Sequence, residues 1–310
     1  MTAGTRPAPG LPGHGEASPR AVPPLARAAA AGVAAHRVWG LVQSTLGRTP
    51  PGGRERWDRV NHRGARLTLL EGPLTSLAAA AGVLAATGRW RTAGLVATLG
   101  AAGFGAVDDL GESEGDRAAG TKGLRGHLEA LRRGRVTTGA VKVAGIGAVG
   151  LAVAALAAPR TGRSRTAAGV VVDLAVGGAL VAGSANLLNL FDLRPGRALK
   201  VAAVTAASLA VGAPASPGAA AAQPLAGAVV GSCAAALPDD LAGASMLGDT
   251  GANALGALLG VAALARWGRT GRAVALGVVV ALTLASERVS FTKVIEAVPL
   301  LRELDRLGRP

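Results

Sequence analysis

Long stretches of this chain carry no charged residue. They cover 72–88, 92–107, 143–159, 174–191, 201–238, 250–265 and 273–286, and the longest holds 38 residues. A bilayer core takes about 20 mostly apolar residues per helix, so the longest run has room for two crossings and a turn. The pattern predicts spans at 25–42, 69–87, 91–107, 137–158, 167–190, 199–213, 224–238, 249–265 and 272–286. The first is weak, because Arg27, His36 and Arg37 interrupt it. All are read as helices, since an open strand cannot satisfy its backbone in lipid. The expected fold is an all-α, polytopic membrane bundle of eight or nine transmembrane helices. Residues 1–24, with six prolines and no apolar block, are read as a disordered tail. Residues 25–290 form the transmembrane domain, and 291–310 a cytoplasmic C-terminal segment.

Composition sharpens the picture. Half of the 310 residues are hydrophobic and mean hydropathy is +0.38. That amount is near the soluble average; its distribution disfavours a soluble enzyme or a disordered chain. Alanine, glycine and leucine fill the runs, and small residues let helices approach closely. The single cysteine, Cys233, excludes an intrachain disulfide and reads as a packing residue. Net charge is +14, which in a soluble protein would suggest nucleic acid. Here the bases fall between apolar runs, and Tyr is absent with only three Phe, so no nucleic-acid partner is expected. Trp39, Trp90 and Trp267 stand at run edges, where indoles favour the membrane interface.

Loop charge gives an orientation. With nine alternating spans, one set of loops plus the tail from 287 carries 19 Lys and Arg, and the other inter-span loops carry six. The positive-inside rule places the first set in the cytoplasm.

Three acidic constellations fall on that side. Asp108 and Asp109 follow an apolar run. Acids are unfavourable at a helix C-terminus and costly at a membrane edge unless paired or metal-bound. The alternative is a solvated helix end. Asn186, Asn189 and Asp192 repeat every three residues and share one helix face, as a ligand site or as inter-helix hydrogen bonds. Gly248-Asp249-Thr250-Gly251 opens another helix. Its N–H groups suit a phosphate and its acid suits Mg²⁺, while the bland reading makes Asp249 an N-cap. A basic stretch with Lys122, Arg125, His127, Arg132, Arg133 and Arg135 would hold phosphates or anionic head groups, or act as a positive-inside anchor. Gly145-Ile146-Gly147-Ala148-Val149-Gly150 matches a dinucleotide fingerprint, but inside an apolar run it reads as helix packing. Asp239-Asp240 follows Pro238 in an expected loop and reads as solvated.

Together these segments, over about 65–265, resemble the polyprenyl-phosphate N-acetylhexosamine-1-phosphate transferase superfamily, which includes phospho-N-acetylmuramoyl-pentapeptide transferase. Val107-Asp108-Asp109 is similar to its paired-Asp motif. Asn186 to Asp192 is similar to its N-x-x-N-x-x-D motif, and Gly248 to Gly251 to its G-D-x-G motif. The resemblance implies a cell-membrane, Mg²⁺-dependent transferase that moves a sugar-1-phosphate from a UDP-sugar to polyprenyl phosphate at the cytoplasmic face. It implies Asp108 or Asp109 as the group that deprotonates or orients the lipid phosphate. It implies Asp249, Asn189 and Asp192 as metal ligands, and Lys122, Asn186, Gly248, Thr250 and Gly251 as substrate-binding residues. A homodimer is left open. The chain departs from the family in two places. The middle motif reads Asp192-Leu193-Arg194-Pro195-Gly196 without the second acid of D-G-x-D-G, and no histidine follows His127. These departures favour the alternative of a catalytically weak homologue that binds lipid carrier or nucleotide and regulates envelope assembly. A proton- or cation-driven transporter would instead place acids mid-helix.

Overall fold

A computed structural model describes residues 22–60, 64–111, 132, 134, 137–158 and 166–310. Most of the tail at 1–24, together with Lys122, Arg125, His127, Arg133 and Arg135, lies outside the described residues. Eleven helices occur among the described residues: α1 (Pro24–Leu46), α2 (Glu71–Val83), α3 (Gly88–Gly111), α4 (Thr138–Ala157), α5 (Ala167–Phe191), α6 (Arg197–Ala210), α7 (Pro217–Leu241), α8 (Gly248–Arg266), α9 (Arg269–Ser286), α10 (Phe291–Ala297) and α11 (Pro299–Arg306). The chain is an all-α bundle. Five helices, α3, α4, α5, α7 and α9, are long and apolar enough to cross a membrane. The expected spans at 69–87 and 199–213 are only 13 and 14 residues long as helices. At 1.5 Å per residue they reach about 20 Å, short of a core roughly 30 Å thick.

Local chemistry sets several helix starts. Thr137, Thr166 and Ser216 each accept from the backbone N–H three residues on, at 3.1–3.2 Å, the expected behaviour of a hydroxyl N-cap. α8 has no such cap of its own, because Leu247 holds the N-cap position. It is nevertheless the buried centre: every residue from Thr250 to Ala265 is buried.

Small residues permit that centre. At Gly256 a methyl group would stand 2.5 Å from the Ser184 carbonyl oxygen, so α5 lies directly against the α8 backbone. The fingerprint decoy is packing of the same kind: a methyl group on Gly145 would fall 2.3 Å from the Phe104 ring. Cys233 is buried in α7. Trp39 and Trp90 are also buried, and only Trp267 is well exposed. Two of the three indoles expected at an interface therefore belong to the core.

The loop before α2 holds a two-stranded antiparallel hairpin that the hydrophobic pattern does not announce. β1 (Asp58–Val60) pairs with β2 (Arg66–Thr68), with Arg59 opposite Leu67. Thr68 also exchanges backbone hydrogen bonds with the α7–α8 turn, accepting from Met246 at 3.0 Å and donating to Ala244 at 3.2 Å. Arg59 Nη2 donates to the Asp109 carbonyl at 2.8 Å, tying the hairpin to the end of α3.

Another correction concerns Asp239 and Asp240. They lie on the last turn of α7, not in a loop, and Asp240 is only 2% exposed. The helix runs through Pro238, so the proline does not mark its end.

The orientation can be checked by thiol labelling. In a Cys233→Ala background, a single cysteine at exposed Thr49 or Ala244 should react with an impermeant reagent only after cells are opened. One at exposed Ala215, at the other end of the bundle, should react in intact cells. Inverted labelling would overturn the charge-derived orientation.

Candidate active site

The site is built around the N-terminus of α8. Four backbone N–H groups at a helix start lack intrahelical partners, and the helix dipole favours an anion there. Asp109, arriving from the last turn of α3, fills the role that Leu247 cannot. Its Oδ1 accepts from the Asp249 N–H at 3.0 Å, and its Oδ2 accepts from the Thr250 N–H at 2.8 Å and Thr250 Oγ1 at 2.6 Å. An acid misplaced at the end of its own helix is thus well placed at the start of another. The approach needs Gly105: a methyl group there would stand 2.4 Å from the Asp249 carbonyl oxygen. It also needs Gly248 in the left-handed region at φ 61°, which a side chain rarely adopts.

With its N–H capped by Asp109, the Asp249 side chain is free of N-capping. It meets Lys142 of α4. Lys142 Nζ donates to Asp108 Oδ2 at 2.5 Å and to Asp249 Oδ2. Asp108 and Asp249 are themselves within hydrogen-bonding reach. One ammonium therefore holds together two partly buried carboxylates from α3 and α8. Charge-assisted bonds of this type are the strong class.

Asp192 terminates α5 beside this group. Its carboxyl meets the Gly248 N–H, and its Oδ2 is buried without a hydrogen-bond partner among the described residues. Burial, then the neighbouring Asp240, push this carboxyl well above the usual carboxylate range. Asn189 is half-buried and Asn186 is exposed, so the expected stripe does not enter the site as one face.

The predicted residues divide accordingly. Asp108, Asp109, Asp192 and Asp249 converge at one end of the bundle. Thr250 is buried and bonded to Asp109, and Gly251 packs against Leu247 and Gly72. The N–H groups expected to cradle a phosphate, those of Asp249 and Thr250, are used by Asp109. Lys122 falls outside the described residues.

Several residues escaped the sequence reading. Lys142 stands within an apolar run, and an ionisable residue there is a functional candidate by default. Glu71, 1% exposed, accepts from Ser245 Oγ and leaves Oε1 without a partner among the described residues. Asp239 and Asp240, expected to be solvated, are instead bonded within the protein: Asp240 accepts from the Gly196 N–H at 3.0 Å, and Asp239 accepts from Gln43 Nε2 at 2.6 Å.

Among the described residues no three acidic, histidine or cysteine side chains converge as a ready-made metal cage. Mg²⁺ commonly needs only one or two carboxylates, with water and substrate phosphate completing its shell. The unpartnered Asp192 oxygen and the Asp249 carboxylate fit that requirement as hard oxygen donors. Comparison with protein-family models and with curated proteins finds no match to this chain.

The cap can be tested by stability. Asp109→Ala should destabilise the purified protein by about 1–2 kcal/mol, the range of a lost helix cap, read as a lower thermal midpoint. Asp109→Asn should cost less, since an amide oxygen still accepts. Equal midpoints for all three proteins would remove the capping role.

Proposed function

We propose that this protein is a membrane phospho-sugar transferase: it moves a sugar-1-phosphate from a nucleotide sugar, of the UDP class, to polyprenyl phosphate and so begins a cell-envelope glycan. The observation that carries the reading is the joining of Asp108, Lys142 and Asp249 from three helices beside the Asp109-capped start of α8. The motif resemblance over about 65–265 points the same way. On this reading the bundle sits in the cell membrane with eight or nine crossings, α8, the shorter helices α2 and α6 and, for the ninth, α1 adding to the five apolar helices, and the acidic end faces the cytoplasm. Two copies forming a homodimer are compatible with the exposed apolar face of α9, which has no buried residue.

The chemistry follows from the residues. An oxygen of the lipid phosphate attacks the sugar-bearing phosphorus of the donor. The bond from that phosphorus to the bridging oxygen breaks, and UMP leaves with the electron pair. Asp108, which has no capping duty, takes the proton of the lipid phosphate or orients its oxygen. Asp109 is a positioning residue, because its carboxylate bonds go to the start of α8. Lys142 supplies positive charge beside the reacting phosphates. Asp249 and Asp192, with Asn189 nearby, would hold Mg²⁺, which neutralises charge as the bridging bond breaks.

One observation favours a second reading, the catalytically weak homologue. Lys142 already bonds to both Asp108 and Asp249, so each acid has a cationic partner without a divalent cation.

The deciding assay uses purified protein in nanodiscs with polyprenyl phosphate and a panel of UDP-sugars, scored for UMP. Mg²⁺-dependent release is expected with at least one donor. Asp249→Asn should cut the rate by roughly 10²–10³-fold, the size of a lost electrostatic contact to the transition state, with normal insertion and purification. Asp173→Asn, at the opposite end of the bundle on Arg269, should leave the rate unchanged. Full activity of Asp249→Asn at limiting Mg²⁺ would end the metal assignment; no turnover with any donor would favour the second reading. Asn189→Ala should weaken turnover far more than Asn186→Ala, and equal mild effects would reduce both amides to packing.

A further inference from the structure

Beyond the acids opens a cavity of about 890 Å³. One wall is the turn after Asp192, and the facing wall is the C-terminal pair α10–α11. That pair is fastened to the bundle by specific contacts. Arg197, 3% exposed, donates Nε and Nη2 to the two carboxylate oxygens of Asp305 at 2.7 and 3.0 Å, and Nη1 to Thr292 Oγ1 at 2.9 Å. Lys200 Nζ donates to the Asp305 carbonyl at 2.8 Å, and Arg309 Nε to the Pro195 carbonyl at 2.8 Å. The Phe191 and Phe291 rings stack with centroids 4.8 Å apart. Burial works to raise the Asp305 carboxyl, but Arg197 and Arg309 outweigh it and hold the group below the usual carboxylate range. A buried ion pair is weak evidence for stability, since apolar packing often does as well. What this fork contributes is a defined position for α11.

The cavity has basic groups left over after that pairing. Arg194, on the turn, and Arg306, on α11, both line it, and their guanidinium groups make no hydrogen bond or ion pair among the described residues. Arg59 lines it too, and its N–H groups go to the carbonyls of Arg56, Asp58 and Asp109. Among the described residues its charge is therefore not matched by a carboxylate. Asp192, with its unpartnered Oδ2, also lines the cavity. The result is a cationic rim facing the acids of the candidate site. Guanidinium forks recognise phosphates in pairs of parallel bonds, and the volume lies in the roughly 300–1,000 Å³ range of small-molecule sites. Apolar Val60, Leu67, Leu193 and Met246 also line it, as do the acids Asp240, bonded to the Gly196 N–H, and Glu296 on α10.

We infer that this cavity binds the diphosphate of a soluble nucleoside diphosphate, with Arg194 from the turn and Arg306 from α11 on the phosphates, which makes the C-terminal segment a working wall of the site. The inference rests on the proposed transfer reaction in taking the nucleotide as the donor's own. The soluble ligand is preferred to a lipid phosphate because the turn, the β-hairpin, the α7–α8 turn and α10–α11 make up most of the lining, and of the five apolar span helices only the last turn of α7 reaches it.

Calorimetric titration of the full-length protein with UDP, and separately with inorganic pyrophosphate, tests this. EDTA keeps the arginines apart from any metal contribution. Unaltered protein should bind both, and Arg194→Ala and Arg306→Ala should each weaken binding roughly tenfold, the scale of a lost hydrogen bond to a charged group. Arg306→Glu should abolish it, with thermal midpoints unchanged because neither arginine holds the fold. Polyprenyl phosphate in nanodiscs should not compete. UDP affinity unaffected by these changes, no UDP binding by the unaltered protein, or competition by the lipid would each overturn the inference. Its failure can be told from that of the transfer reading. UMP release without arginine-dependent binding sinks only the cavity assignment. Arginine-dependent UDP binding without UMP release from any donor sinks only the reaction.

Discussion

The start of α8 has unpaired N–H groups and no cap of its own, and most of the site follows from that constraint. Asp109 supplies the cap from α3 with three hydrogen bonds. Because Asp108 and Asp109 are adjacent, fixing one carboxylate on α8 delivers the other to Lys142 and Asp249. The capping anion also relieves Asp249 of the role its position would suggest. A structural interaction and a candidate reactive pair are therefore the two halves of one dipeptide.

That arrangement requires backbones in near contact. Gly105 lets α3 reach the Asp249 carbonyl, and Gly256 lets α5 lie on α8. Small residues are favoured where apolar helices meet, because lipid offers no hydrophobic gain for association and close van der Waals contact must supply it. The abundance of alanine and glycine is thus tied directly to the geometry of the acids. A bulkier residue at Gly105 would push α3 off the start of α8, and Asp109 with it.

Much of this was legible in the chain. The charge-free runs locate the main helices to within a few residues at most ends, and the three acidic motifs do share one end of the bundle. The failures have physical causes. Lys142 borders an uncharged run and so escapes a search for charge-free stretches, although a cation in an apolar helix is itself a signal. The division of labour between Asp109 and Asp249 depends on one helix capping another, which spacing along the chain does not encode. Pro238 suggests a loop and hence a solvated Asp240, yet α7 continues through it. The fastening of α10–α11 by Arg197 joins residues about a hundred positions apart, beyond any local pattern.

The central claim is that this acidic end transfers a phospho-sugar to a lipid phosphate. Mass spectrometry of the lipid product after incubation with polyprenyl phosphate and the accepted nucleotide sugar tests it most directly, because it counts phosphates. The account predicts a sugar joined to the lipid through two phosphates, with UMP as the co-product. A sugar joined through a single phosphate with UDP released would mean that the carbon–oxygen bond breaks instead, and it would contradict the account.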